Sequence, residues 1–125
     1  MGDNTGDLQL TFIQENGTER SAQLITLQNK KVIVYFIIKN GITRTFLVDH
    51  DDIDLIDSKK WYITNNEFVA YDNTVDDITT TYYLYELVAH KHNISEPDIP
   101  IPIDFVNNIT TDCRMANLAL PKWKN

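Results

Sequence analysis

A single cysteine, Cys113, stands in the 125 residues of this chain, so no intramolecular disulfide framework can form, which fits a reducing compartment. Long apolar runs are missing as well. The longest, Val32 to Ile38, falls far short of the roughly 20 residues that a membrane helix requires. The opening stretch MGDNTGDLQL is acidic and lacks the apolar segment of a secretory signal. Met1-Gly2 begins like a myristoylation site, but Asp3 is unfavourable there and Gly6 sits where Ser or Thr is wanted. The expectation is a soluble protein, intracellular or carried in a virion, with no membrane partner. Its 42% apolar content is enough for one modest core.

Positive charge is scarce. Lys and Arg number 11 against 18 Asp and Glu, a net charge of −7. Residues 1–44 carry five basic and four acidic side chains (+1), and residues 45–125 carry six and fourteen (−8), which together give that −7. Nucleic-acid binding depends largely on Lys and Arg neutralising phosphates, so the second segment is poorly suited to it. Lys30, Lys31, Lys39 and Arg44, or Lys122 and Lys124, offer only scattered basic positions. Zinc-type spacings such as Cys-x-x-Cys or His-Glu-x-x-His are lacking too. His90 and His92 flank Lys91 at the end of an expected helix, where surface cations suit the helix dipole. His50 lies in the acidic run VDHDD, expected to be a solvated turn leading into a helix.

Alternation of apolar and polar residues predicts strands at Asp7 to Gln14, Ser21 to Gln28 and Ile42 to Val48. Lys31 to Lys39 is β-branched and aromatic throughout, a strand buried on both faces or at a partner interface. The sequence ENGT (Glu15 to Thr18) and the pair Asn40-Gly41 mark the hairpin turns of an N-terminal antiparallel meander. Asp49 to Ser58 is expected as one short helix. Short strands follow at Trp61 to Ile63, Glu67 to Tyr71 and Thr79 to Tyr83, around an acidic loop at Asp72 to Asp77. Leu84 to His90 is a helix with Leu84, Leu87 and Val88 inward. Pro97, Pro100 and Pro102 make Glu96 to Asp104 an extended connector or edge strand. Ile103 to Val106 and Leu118 to Leu120 pair as a final hairpin, with a turn at Arg114 to Asn117 fastened by the Asn117 side chain. Tyr82, Tyr83 and Tyr85 are expected to pack across a small mixed core, ahead of anchoring a protein interface and, last in this acidic neighbourhood, of stacking on bases.

The stretch Asp104 to Leu118, DFVNNITTDCRMANL, carries the most specific pattern. It resembles the core segment of the HNH endonucleases of the homing type found in phages and giant viruses, roughly D-H-I-N-G-N-x-L-D-N-R-x-x-N-L. Without a gap, Asp104 is followed by Phe105 in the histidine position. Val106-Asn107 match the I-N pair, Asp112-Cys113-Arg114 a damaged D-N-R, and Asn117-Leu118 the closing N-L. Upstream, Val48, Asp49, Asp52 and Trp61-Tyr62 are similar to the family's V-D-x-x-D and W-Y positions. Leu84, Leu87 and Val88 keep the apolar places of an L-H-R-L-I helix start, in which Tyr85 replaces histidine and Glu86 replaces arginine. The resemblance covers about residues 45 to 120.

With the N-terminal β-meander (1–44) read from the strand and turn pattern, that resemblance implies an α+β protein whose remainder is a degenerate HNH-like ββα domain (45–125) without its last helix. It also implies a lost reaction. A general base must accept a proton near neutral pH, and Phe105 cannot. Asp104 would be the vestige of a metal site, and one carboxylate is a poor magnesium site. The expectation is therefore a non-catalytic protein with no catalytic residue, no metal and no cofactor. Cys113 is expected as a packed thiol. The chain would serve as a structural or interaction subunit of a virion or ribonucleoprotein, with a protein partner or a second copy. Val32, Val34, Tyr35, Phe36 and Tyr85 are the interface candidates, and Lys31 to Lys39 is the expected docking edge. The alternatives are an endonuclease with a displaced base, His50 or His90, and a DNA-binding remnant acting as a regulator.

Overall fold

A computed structural model describes residues 9–15, 18–56, 59–94 and 103–120. The proline connector, the Asn16-Gly17 turn and Lys122 and Lys124 lie outside the described residues. Strands β1 (Gln9–Glu15), β2 (Thr18–Leu27), β3 (Lys30–Lys39) and β4 (Ile42–Asp49) form an antiparallel sheet in chain order. Its β2–β3 and β3–β4 turns are two-residue turns with positive φ at both positions: Gln28 and Asn29 (53° and 66°), Asn40 and Gly41 (53° and 78°). Such turns match the right-handed twist of the paired strands.

The fold is α+β. After β4, a 3₁₀ helix spans His50–Leu55, shorter and tighter than the helix expected at Asp49 to Ser58. A second sheet follows: β5 (Tyr62–Ile63), β6 (Val69–Val75) and β7 (Ile78–Tyr83), in that order. Here the expected acidic loop is corrected. Asp72 to Val75 belong to β6, and only Asp76 and Asp77 turn, with φ of 53° and 65°. The polarity that suggested a loop reflects exposure from Asp72 to Tyr82 on both sides of the ribbon.

Helix α1 (Leu84–Lys91) continues directly from β7 and buries Leu84, Val88 and Ala89. It stops at Asn93, which takes the left-handed conformation at φ 62°. The Asn93 and Ile94 amides donate back to the His90 and Ala89 carbonyls at 3.1 and 2.8 Å, which satisfies the helix end. Strands β8 (Asp104–Phe105) and β9 (Leu118–Ala119) close the described chain as a small hairpin.

The expected boundary after residue 44 falls inside β4, which pairs with β3 along its whole length. One hydrophobic cluster joins both segments. It contains Ala22, Ile33, Tyr35, Phe46 and Val48 of the first sheet, with Trp61, Ile63, Val69, Leu84, Val88, Cys113 and Leu118 of the rest. Tyr35 and Phe46 stack at 5.0 Å between ring centres, and Phe46 meets Trp61 at 6.4 Å. β3 is an interior strand. The docking edge expected at Lys31 to Lys39 is thus not an edge, because β2 and β4 take its backbone hydrogen bonds on either side.

Candidate functional site

The segment between β8 and β9 is short of regular structure, so its amides and carbonyls must find other partners. Side chains supply them. Asn107 folds a local turn in which its Oδ1 accepts the Ile109 amide at 2.8 Å. The Asn107 amide donates to Asn117 Oδ1 at 2.9 Å, and Asn117 Nδ2 donates to the Asp112 carbonyl at 2.9 Å. Asn117 is buried and thereby clamps both ends of the loop.

Asp112 is the hub. Its carboxylate accepts Arg114 Nε and Nη2 at 2.8 and 2.7 Å, the forked geometry that guanidinium favours. It also accepts Asn107 Nδ2 at 2.8 Å and the Arg114 amide at 3.2 Å. The hydrogen bonds from Arg114 to Asp112 raise the Arg114 pKa above the usual arginine range, outweighing the opposing effect of burial. The loop is then seated on the edge of β4. The Leu47 amide donates to the Thr111 carbonyl at 3.0 Å, the Cys113 amide donates to the Leu47 carbonyl at 2.9 Å, and Leu47 and Asp112 form a parallel bridge. Asp49, just beyond, accepts the Met115 amide at 2.9 Å. Cys113 points into the core, where burial and then the Asp112 charge push its thiol pKa up. That is the opposite of an activated nucleophile.

Phe105 does not face an open site. Its ring lies 5.2 Å from that of Tyr85 and 6.1 Å from that of Phe68. Tyr83 joins the cluster at 6.0 Å from Phe68 and 6.1 Å from Tyr85. Tyr85 is half-buried, and mainly for that reason its phenol is pushed up to about 12. Tyr82 is apart from this group, stacked on Tyr71 at 5.1 Å. Asp104, next to Phe105, is exposed, and among the described residues no three His, Cys, Asp or Glu side chains converge on a possible metal position. The residues present do not fit the cation that the resemblance would imply.

A second polar cluster was not foreseen. Asp49 and Asp52 are buried, which corrects the solvated turn expected for this acidic run. Asp52 lies against the end of α1, with His92 Nε2 at 2.8 and 3.1 Å from its two oxygens and Lys91 Nζ at 2.9 Å. Lys91 also donates to Asp54 Oδ1 and to the Asp51 carbonyl, each at 2.7 Å. Its hydrogen bond to Asp54 is the main cause that raises the lysine and lowers the carboxyl. His92 is therefore a structural clasp rather than a surface histidine, while His50 and His90 are exposed. Partners 40 residues apart leave no local sequence signal. Elsewhere, Arg44 pairs with Glu67, to which Lys39 Nζ also comes within 3.7 Å.

Of the interface candidates, Val32 and Tyr35 are corrected: both are buried within the chain's own interior. Val34, Phe36 and Tyr85 are partly exposed, but Tyr85 spends its ring on the Phe105 cluster. No helix among the described residues is long and apolar enough to cross a membrane. Comparison of the chain with family models, with curated proteins and with solved structures gives no match.

Proposed function

We propose that this chain is a non-catalytic relative of the HNH endonucleases, kept as a structural or interaction subunit of a larger assembly. The observation that carries the reading is the contact between Phe105 and Tyr85. By the resemblance, each of these positions, 20 residues apart, belongs to a histidine. In the fold they are neighbours, and both are filled by rings that pack on Phe68. A pair of aromatic replacements in mutual contact is a site closed by packing. Around it, Asn107, Asp112, Arg114 and Asn117 keep a complete hydrogen-bond frame.

Such a frame serves shape rather than reaction. General-base catalysis of phosphodiester hydrolysis needs an imidazole or an equivalent acceptor beside a bound cation. The side chains around Phe105 are aromatic, and none of them accepts a proton at neutral pH. The acidic balance of residues 45–125 favours a protein partner over nucleic acid.

The test is direct. Purified protein is incubated with supercoiled plasmid and with single-stranded RNA in magnesium, then in manganese. The expected result is no cleavage above a mock preparation. Cleavage that persists through purification and disappears in Asp104→Ala refutes the reading. Affinity recovery from nuclease-treated lysate then identifies the assembly, and recovery of nucleic acid alone would favour the DNA-binding alternative.

A further inference from the structure

We propose that the outer edge of β7 is a docking strand for an extended segment of another protein, one that alternates basic with apolar side chains. The inference deepens the reading of an interaction subunit, rests on it, and names the class of partner. Within its sheet β7 pairs with β6 alone. The two-residue turn at Asp76 and Asp77 makes Val75 and Ile78 a hydrogen-bonded pair, and the direction of bonding alternates from there. Ile78, Thr80 and Tyr82 turn their main-chain groups to β6. Thr79, Thr81 and Tyr83 turn theirs outward, where the described residues provide no further strand. The Tyr83 carbonyl begins α1. The amides of Thr79, Thr81 and Tyr83 and the carbonyls of Thr79 and Thr81 are left along the edge.

Edge strands are usually guarded by charge, proline or a bulge. β7 reads Ile78-Thr79-Thr80-Thr81-Tyr82-Tyr83 and has none of these, and its register with β6 runs unbroken from Val75 back to Ala70. Ile78 to Tyr82 are exposed. Side chains alternate along a strand. Thr79 and Thr81 therefore share a face with their partners Thr74 and Asp72, while Ile78, Thr80 and Tyr82 share the other with Val75, Asn73 and Tyr71. That second face is apolar at both ends, with Ile78 68% and Tyr82 36% exposed.

Charge selects the occupant. From Val69 to Ala89 the chain carries Asp72, Asp76, Asp77 and Glu86 but no Lys, Arg or His. Asp72 accepts hydrogen bonds from the Tyr62 and Thr81 hydroxyls, each at 2.8 Å, and both donors are neutral. Among the described residues no cation pairs with any of these four carboxylates. Lys59 lies over the Tyr71 ring, on the face opposite Asp72. A strand laid on β7 places its residues beside Thr79 and Thr81 within a long side chain's reach of Asp72, where lysine or arginine gains a counter-charge. Its alternate residues meet Ile78, Thr80 and Tyr82, where apolar side chains fit. Main-chain bonds then supply affinity, and the alternation supplies specificity. A second copy suits the edge poorly. The twofold register centred on Thr81, which uses all the outward groups, sets each Asp76-Asp77 turn beside the start of the other copy's α1, where Glu86 stands. Carboxylates would face carboxylates between two chains already at −7 each.

The probes are short labelled synthetic peptides: one of lysine alternating with valine or threonine, the same with glutamate for lysine, and the lysine peptide with a central proline. Fluorescence anisotropy with the purified chain should show the lysine peptide binding, at least about 3-fold more weakly in about 0.3 M than in about 0.05 M salt. The glutamate and proline versions should bind at least about 10-fold more weakly, since one reverses the charge and the other removes a main-chain donor. In amide exchange followed by NMR, Thr79, Thr81 and Tyr83 should gain at least about 10-fold protection in the complex. Thr81→Pro removes an outward amide without touching the bonds to β6 and should abolish binding. Thr81→Lys, a guarding charge at an exposed position, repeats the test should Thr81→Pro misfold. No binding up to about 1 mM peptide, equal binding of the glutamate peptide, or binding without protection of these amides overturns the proposal. So does self-association of the free chain that Thr81→Pro dissolves, which would give the edge to a second copy. The nuclease assay reads independently: an inactive protein that ignores the peptides overturns the edge alone, and one that cleaves while binding them overturns only the non-catalytic reading.

Discussion

Replacing Asn117 by alanine isolates the clamp on the loop between β8 and β9. The side chain is 3% exposed and makes two hydrogen bonds of 2.9 Å, accepting from the Asn107 amide and donating to the Asp112 carbonyl. Alanine keeps the backbone geometry and removes both. A hydrogen bond contributes about 0.5–1.5 kcal/mol net, and a buried group left unsatisfied costs about 1–3 kcal/mol. The Asp112 carbonyl is enclosed, whereas the Asn107 amide lies nearer the surface and can recruit water. The sum expected is about 2–4 kcal/mol. For a chain of this size each kcal/mol moves the midpoint by about 3–5 °C, so thermal unfolding should begin about 6–20 °C lower.

The assay is urea unfolding followed by far-UV circular dichroism, with thermal melts alongside. Asn117→Asp refines it, because the acceptor survives while the donor is lost and a second carboxylate is set near Asp112. Asn107→Ala removes one part-buried hydrogen bond, to the Asp112 carboxylate, and one exposed, from the Ile109 amide, and should cost about 1–2 kcal/mol. Combined with Asn117→Ala, it should cost less than the sum of the two, since the residues share a network. A loss below about 1 kcal/mol for Asn117→Ala would refute the reasoning: the loop would then be held by its seat on β4 rather than by its own side chains.

Three more expectations follow from the same geometry. Asp52→Ala should cost about 2–3 kcal/mol in urea unfolding, because a buried carboxylate and the groups it pairs are separated, while Asp54→Ala at an exposed position should cost under about 0.5 kcal/mol. Cys113, 1% exposed and with its thiol pKa raised by burial, should resist aromatic disulfide reagents at pH 8 until the protein unfolds; rapid labelling of the folded chain would contradict its placement. For Tyr85 the folded pKa is above the unfolded value, so the unfolded chain loses its proton first as pH rises. Stability is therefore full below about pH 10 and should fall between about pH 10 and 12. Tyr85→Phe should flatten that fall without removing it, since Tyr62 and Tyr71 are shifted the same way, and an unchanged profile would count against burial as the cause.

The α+β architecture was legible because its signals are local. Asn40-Gly41 marks a turn that only a few residue pairs tolerate, and it falls where β3 returns as β4. Leu84, Leu87 and Val88 set the inner face of α1 through spacing alone. The errors came where position in the sheet matters more than composition. Lys31 to Lys39 is apolar enough to suggest an unpaired edge, yet its neighbours in sequence are its neighbours in space, and they cover both sides. β6 runs through Asp72 to Val75 because the ribbon is wetted on both faces, so polar residues there are no obstacle to pairing.

The site divides along the same line. Asn107, Asp112, Arg114 and Asn117 stand within eleven consecutive residues, and the fold brings them into one network with Asn117 as the expected fastener. The burial and pairing of Asp49, Asp52 and His92 leave no local signal, because their partners lie 66 and 40 residues away. An acidic run reads as solvated unless the cations that neutralise it are known, and Lys91 and His92 were read as helix-end surface charge. Both clusters do the same physical work: each ties a segment with little apolar content to the core by satisfying its polar groups. The loop before β9 has Cys113 and Leu118 as its buried apolar anchors, and the 3₁₀ segment has only Leu55 and Ile56 at its end. With so few apolar contacts, conformational order in these segments depends on hydrogen bonds to specific partners. That dependence explains how the polar pattern keeps its geometry beside the aromatic packing of Phe105 and Tyr85. The polar residues hold the backbone of the loop, and the ring at position 105 packs without taking part in their network.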